Sequence, residues 1–309
     1  MKCCLTFGRL AWPLVGVLLL VGCRKASPPP SPRTGSSTRR AAGSSHVEQP
    51  SQPVVPGRRR KYRAVHVFVA LCDNRNQGIA PVPKALGNGQ DAKSNLYWGA
   101  QYGVKTFFRR SKHWREVPAG QVAVAREYGG SILDTAVFES AGPGAKVYVL
   151  AEAFDGARMD VALRQFFEAA AGRLSRIVAW GTRPNQVVVL AGGAADMVCF
   201  VGHNGLMDRK PGRLPSKAAG LNPSCAVVLA CKSREYFAEP LRRAGCPPLI
   251  TTTGLMAPEA YTLEAIVRSW SAGRPAATVH ARAAEAYAKY QKCSLPAARR
   301  LFAAGAAPR

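Results

Sequence analysis

Two apolar runs in this chain end abruptly in reactive side chains. Met197–Val201 (MVCFV) leads through Gly202 into His203-Asn204-Gly205, and Ala226–Ala230 (AVVLA) leads directly into Cys231-Lys232-Ser233. A thiol reacts as its thiolate, and a neighbouring imidazole raises the thiolate fraction at neutral pH. His203 and Cys231, once brought together, would therefore make a nucleophile with its acid/base partner. Gly202 and Gly205 allow a sharp turn around the histidine. The backbone N–H near Gly205 is a candidate oxyanion donor. Asp208 follows closely enough to orient His203 or to sit in a substrate pocket. The competing reading of the same residues is a core cysteine and a turn histidine on an inert scaffold.

Such a pair works only if the two runs are strands that end side by side. Short apolar runs recur along the chain at Ala64–Leu71, Lys146–Ala151, Val187–Ala191, Met197–Val201, Ala226–Ala230 and Pro248–Thr253. Helical patterns lie between and after them, at Met159–Gly172, Arg234–Ala244 and Pro258–Ala272. Residues 280–304 read as one or two amphipathic closing helices. Continuous apolar strands alternating with helices predict a mostly parallel sheet covered on both faces. The expected fold class is thus an α/β three-layer sandwich of the doubly wound kind. In such sheets ligand chemistry lies beyond the carboxyl ends of the strands, where His203 and Cys231 both fall.

The same rim carries further candidates. Cys72 and Asp73 end the first run, and Asp155 follows the second. For Cys72 a buried core cysteine is the favoured reading. Residues 87–98 form a polar, Gly-rich loop that contributes Asn88, Asp91 and Asn95, and it runs into an expected aromatic helix start at Tyr97 and Trp98. Polar loops of this kind often carry recognition, although Asp91 also fits a helix cap. Gly87-x-Gly89 lacks the third glycine of a dinucleotide fingerprint. His66, His113 and His280 have no partner at metal-ligand spacing, and the chain has no Cys-x-x-Cys or His-x-x-x-His pair, so neither zinc nor any other metal is expected. No cofactor is required.

The N-terminus predicts where the body works. Lys2 and Arg9 precede an apolar run from Leu10 to Val21. About a dozen apolar residues fall short of the roughly 20 that span a bilayer, so residues 1–23 read as a secretory signal. Leu20-Val21-Gly22-Cys23 resembles the bacterial lipobox. That resemblance implies cleavage before Cys23, acylation of its sulfur and attachment to a lipid bilayer in the cell envelope. Arg24 in place of aspartate favours the outer membrane. Residues 24–63, rich in Pro, Ser and Arg, cannot bury a core and read as a disordered tether. The folded domain is expected over 64–309. The formal net charge is +25, from 43 basic and 18 acidic residues. Export and the lack of any nucleic-acid motif argue against nucleic acid as the partner. A solvated basic surface accounts for the excess. Six cysteines beyond Cys23 could pair in an oxidising compartment, with Cys225 and Cys246 a plausible couple. Oligomeric state is not legible.

The run VCFVGHNG followed by AVVLAC resembles the motifs of cysteine peptidases with the caspase–hemoglobinase fold, the clan of caspases, metacaspases, legumain, clostripain and gingipains. Their pattern is a strand ending in His-Gly, then a strand ending in Ala-Cys. The order of elements across residues 64–255 is similar as well, so the resemblance spans about two-thirds of the chain. It implies an endopeptidase acting on a peptide or protein substrate. Cys231 would be the nucleophile, His203 the general acid/base, and N–H groups near Gly205 and Cys231 the oxyanion donors. Some members of the clan use calcium. Asn204 stands between the histidine and the glycine, the caspase Gln-Ala-Cys-x-Gly signature is absent, and His203 and Cys231 lie 28 positions apart, against roughly 50 in caspases.

Overall fold

The computed structural model describes residues 60–305, apart from 125–129, 183, 209–211 and 221. The lipobox cysteine Cys23 and most of the expected tether lie outside the described residues.

The chain alternates strands and helices. Strand β1 (Tyr62–Ala70) begins two residues before the expected edge of the domain. It is followed by α1 (Val104–Arg110), β2 (Trp114–Val117), β3 (Ala123–Val124), β4 (Ile132–Ser140), β5 (Lys146–Phe154) and α2 (Met159–Ala170). Next come β6 (Ser175–Trp180), β7 (Val187–Gly192), β8 (Met197–Val201), the one-turn α3 (Gly205–Asp208), β9 (Cys225–Leu229) and α4 (Ser233–Arg243). The chain then forms β10 (Pro248–Thr252), α5 (Ala260–Ser271), α6 (Ala276–Gln291), α7 (Leu295–Leu301) and β11 (Phe302–Ala304).

Eight strands make one mixed sheet in the order β11-β10-β9-β8-β1-β5-β4-β2. The five central strands, β10 to β5, run parallel, and antiparallel strands close both sides. A second, antiparallel sheet holds β3, β6 and β7. The reason is visible in the runs themselves. β8, β9 and β10 are buried at every position, as strands covered on both faces must be.

Side-chain parity sorts the two faces. Val65, Val67 and Val69 of β1, Cys199 and Val201 of β8, and Val227 and Leu229 of β9 pack with α1, α5 and α6. Phe68 and Ala70, Val198 and Phe200, and Val228 and Ala230 point the other way, onto Phe166 and Phe167 of α2 and Phe237 of α4. The result is three layers, helix–sheet–helix, as the alternation predicts.

The second sheet adjoins the α2 face through a buried polar group. His66 Nε2 meets Glu152 Oε2 at 3.1 Å, and Arg176 Nε on β6 donates to Glu152 Oε1 at 3.0 Å. His66 Nδ1 accepts the Gly192 N–H at 3.2 Å. The Nδ1 bond therefore puts the imidazole proton on Nε2, where it is donated to the carboxylate. All three side chains are fully buried. Burial, and then Arg176, hold His66 below the ordinary histidine range against the opposing pull of Glu152. Burial pushes Glu152 up, but the bonds and charges of His66 and Arg176 outweigh it and leave the carboxyl below its ordinary range.

Several expectations need correction. Residues 95–98 form consecutive turns rather than a helix start, and the first helix opens at Val104. The closing segment contains α6 and α7 and then an unforeseen strand, β11, which pairs antiparallel with β10. Cys225 and Cys246 are not disulfide-bonded. Both keep their own buried thiols, as do Cys72 and Cys199.

Candidate functional site

The chain leaves β1 for β5 on one side of the sheet and returns to β8, β9 and β10 on the other. The order reverses between β1 and β8, which is where open α/β sheets leave a crevice beyond the strand tips. Cys72, His203 and Cys231 follow β1, β8 and β9 at that edge.

Val201 pairs with Leu229 in the β8–β9 ladder, and His203 and Cys231 each lie two residues further on. Cys231 continues the parity of the face covered by α1, α5 and α6, with its sulfur against Met256 of that cluster. Gly202 permits the close approach of the strands. Its φ is +147°, and a Cβ there would stand 2.7 Å from the Ala70 carbonyl oxygen of β1. Asn204, fully buried, ties the two tips together. Its Nδ2 donates to the Cys231 carbonyl at 2.7 Å while its Oδ1 accepts the Leu206 N–H.

His203 Nε2 and Asp208 Oδ2 are 2.7 Å apart. A carboxylate only accepts, so the imidazole proton sits on Nε2 and leaves Nδ1 as an acceptor. α3 is the single turn that folds Asp208 back over His203. Asp208 Oδ2 also accepts the Gly78 N–H at 3.2 Å, which joins the loop after β1 to the histidine loop.

Cys231 is half-buried. Lys232 behind it adopts a left-handed conformation, φ +48°, which turns the chain sharply into α4. The sulfur faces the loop after β10. Met256 N donates to Sγ at 3.4 Å, and Sγ lies 3.6 Å from the Met256 carbonyl oxygen. The thiol thus both accepts from and donates to the Met256 peptide. Lys232 N bonds the Gly254 carbonyl, which holds this loop against the cysteine turn.

The remaining candidates separate into three groups. Cys72 is buried beside Asn95, whose Oδ1 accepts the Cys72 N–H at 3.0 Å and whose Nδ2 donates to the Cys72 carbonyl at 2.8 Å. Burial pushes the Cys72 thiol up to about 11. Tyr97 hydrogen-bonds that thiol and lies within electrostatic reach of both Cys72 and Cys231. Asp73 is also buried, within a loop network. Burial alone would raise its carboxyl, but bonds from Asn76, Gln90 and the N–H groups of Arg75 and Asn76 hold it below the ordinary range. Gln90 Nε2 bridges Asp73 Oδ2 and Asp155 Oδ1 at 2.9 and 2.7 Å. Asn88 and Asp91 form the third group, and their side-chain bonds stay inside their own turn, to Gln90, Lys93 and Ser94.

Gly205 opens α3 with its Cα packed toward Met159 and Leu163 of α2. Its N–H is donated to the His203 carbonyl at 3.1 Å, so in this conformation the group is already engaged.

Sequence reasoning missed Met256 and Gln90. Met256 had a signal available, since it lies just past the carboxyl end of a parallel strand, where site loops gather. Gln90 had none. Among the described residues no cluster of His, Cys, Asp and Glu is arranged to hold a metal ion, and no helix is long and apolar enough to cross a membrane. No protein-family model matches the chain, and searches of curated proteins and of solved structures likewise found no match.

Proposed function

We propose that this chain is a cysteine hydrolase acting on a peptide or protein substrate, held in the bacterial envelope by lipid on Cys23. One observation carries the proposal. A carboxylate-oriented imidazole, Asp208–His203, and a half-exposed thiol, Cys231, occupy adjacent parallel strand tips joined by Asn204. Asp208 gives the histidine one tautomer, and the Met256 N–H gives the sulfur a donor. Kinship with the caspase–hemoglobinase clan is part of the proposal. It is supported by a histidine strand followed by a neighbouring cysteine strand in a mixed α/β sheet.

In the reaction, Cys231 Sγ attacks the scissile carbonyl carbon, and a C–S bond forms as the carbonyl electrons move to oxygen. His203 Nδ1 takes the thiol proton and returns it to the leaving amine as the C–N bond breaks. Water then attacks the thioester, and Cys231 leaves with a proton restored through His203. No metal or redox partner enters this balance.

A second reading is a binding lipoprotein on the same scaffold. Two observations favour it: the Gly205 N–H is occupied by the His203 carbonyl, and the Met256 peptide lies against the thiol. A diverse peptide library incubated with the full chain and read by mass spectrometry separates the two. The hydrolase reading expects new termini that disappear with Cys231→Ala and with His203→Ala. Cleavage that survives Cys231→Ala, or a library left intact with peptides bound, favours the scaffold.

A further inference from the structure

We propose that a cleft between α1, α5 and α6, lined by none of the residues of the Cys231 site, binds a small anion that carries a flat ring. The cleft has a volume of about 580 Å³, within the size range of small-molecule sites. Its wall is aromatic. Tyr261 and Tyr290 stack at 4.3 Å with their planes 4° apart. Tyr102 and Phe107 each stand edge-on to both. A ring entering beside Tyr290 or Phe107 finds the offset or edge contacts that aromatic groups prefer.

The rim is basic. Arg110, Lys112 and Lys289 line it, and no carboxylate among the described residues pairs with any of them. Lys289 stands over the Tyr290 ring, 5.5 Å from its centroid. The one carboxylate lining the cleft, Glu264, is already engaged. Its Oε1 accepts the Ser111 hydroxyl at 2.5 Å, and its Oε2 lies 4.0 Å from Arg268. His113 reports the local field. Burial first, then Arg268 and Lys112, hold it below the ordinary histidine range despite Glu264. Like charges gathered around a concavity repel one another and gain nothing in folding. An anion placed among them would be attracted by all of them. Neither half of the site suffices alone, since the wall selects the ring and the rim selects the charge.

The test is calorimetric titration of the full-length protein with phenyl phosphate, inorganic phosphate and benzyl alcohol. Phenyl phosphate is expected to bind at least about tenfold tighter than either of the others, and to weaken as salt is added. Lys112→Glu and Lys289→Glu, both exposed and checked for an unchanged melt, should each weaken it by about tenfold. Tyr290→Leu should weaken phenyl phosphate while leaving inorganic phosphate as it was. Equal binding of the two phosphates, indifference to both charge reversals, or no heat from phenyl phosphate would overturn the proposal.

Discussion

Asp208 holds one ring nitrogen of His203 through a 2.7 Å bond, so the carboxylate decides which nitrogen would serve Cys231 in the proposed reaction. Asp208→Asn keeps the size but lets the amide donate, and it no longer enforces the Nε2–H tautomer. The proposed hydrolase should lose about 100-fold in turnover, the scale of acid/base assistance. Circular dichroism should be unchanged, because the Asp208 side chain is 31% exposed. Peptide turnover with a thermal melt in parallel checks both halves. Asn204 is a different kind of residue. It is fully buried, and its loss unpairs the Cys231 carbonyl and the Leu206 N–H together. Asn204→Ala should therefore cost about 1–3 kcal/mol in urea unfolding as well as activity. At this scale His203, Cys231 and Asp208 were readable, because each sits beside a strand end in the chain itself. Met256 was signalled only by its place just past β10, and Gln90 not at all, since their roles come from loops folding back across the sheet edge.

At the scale of elements, β1, β8 and β9 must approach closely at their tips, and Gly202 is what allows it. Gly202→Ala places a methyl against the Ala70 carbonyl at a backbone conformation only glycine adopts freely. The variant should lose about 1–3 kcal/mol, with hydrogen exchange accelerated first at the carboxyl ends of these strands. Exchange spread evenly over the sheet would contradict that. The central strands were legible because burial on both faces leaves long apolar runs such as AVVLA, and AVHVFVA broken only by His66. The outer elements were not. β4 mixes buried, half-exposed and exposed positions without a regular alternation, and β2, β3 and β11 are four residues or fewer. β6 carries the buried Arg176, which disguises it as a surface segment until Glu152 appears opposite.

The whole molecule carries that pair as a liability at acid pH. His66 has its proton affinity lowered by folding, so the unfolded chain takes up a proton first as pH falls through about 6.5. Glu152, also lowered, adds stability above the ordinary carboxyl range that is lost as pH falls through its folded value. Both effects have one sign, and stability should decline steadily on acidification. Glu152→Gln would strand Arg176 in the core and should cost about 3–5 kcal/mol, read by urea unfolding. Outside the described residues, Cys23→Ser should leave the chain uncleaved or soluble. Detergent partitioning unchanged by that substitution would argue against lipid attachment.

Six thiols compete within the described residues, and their surroundings rank them. Burial raises Cys199 and Cys246 far above the ordinary thiol range, Cys225 to about 12 and Cys72 to about 11. Cys231 alone joins partial exposure to the Met256 N–H and a strand tip next to that of His203. Limited iodoacetamide labelling at mildly acidic pH, resolved residue by residue by mass spectrometry, tests this most directly. Cys231 should be alkylated first, ahead of the comparably exposed Cys293, and His203→Ala should erase its lead without unfolding the protein. Equal rates at Cys231 and Cys293, or a lead that survives His203→Ala, would contradict the proposed pair.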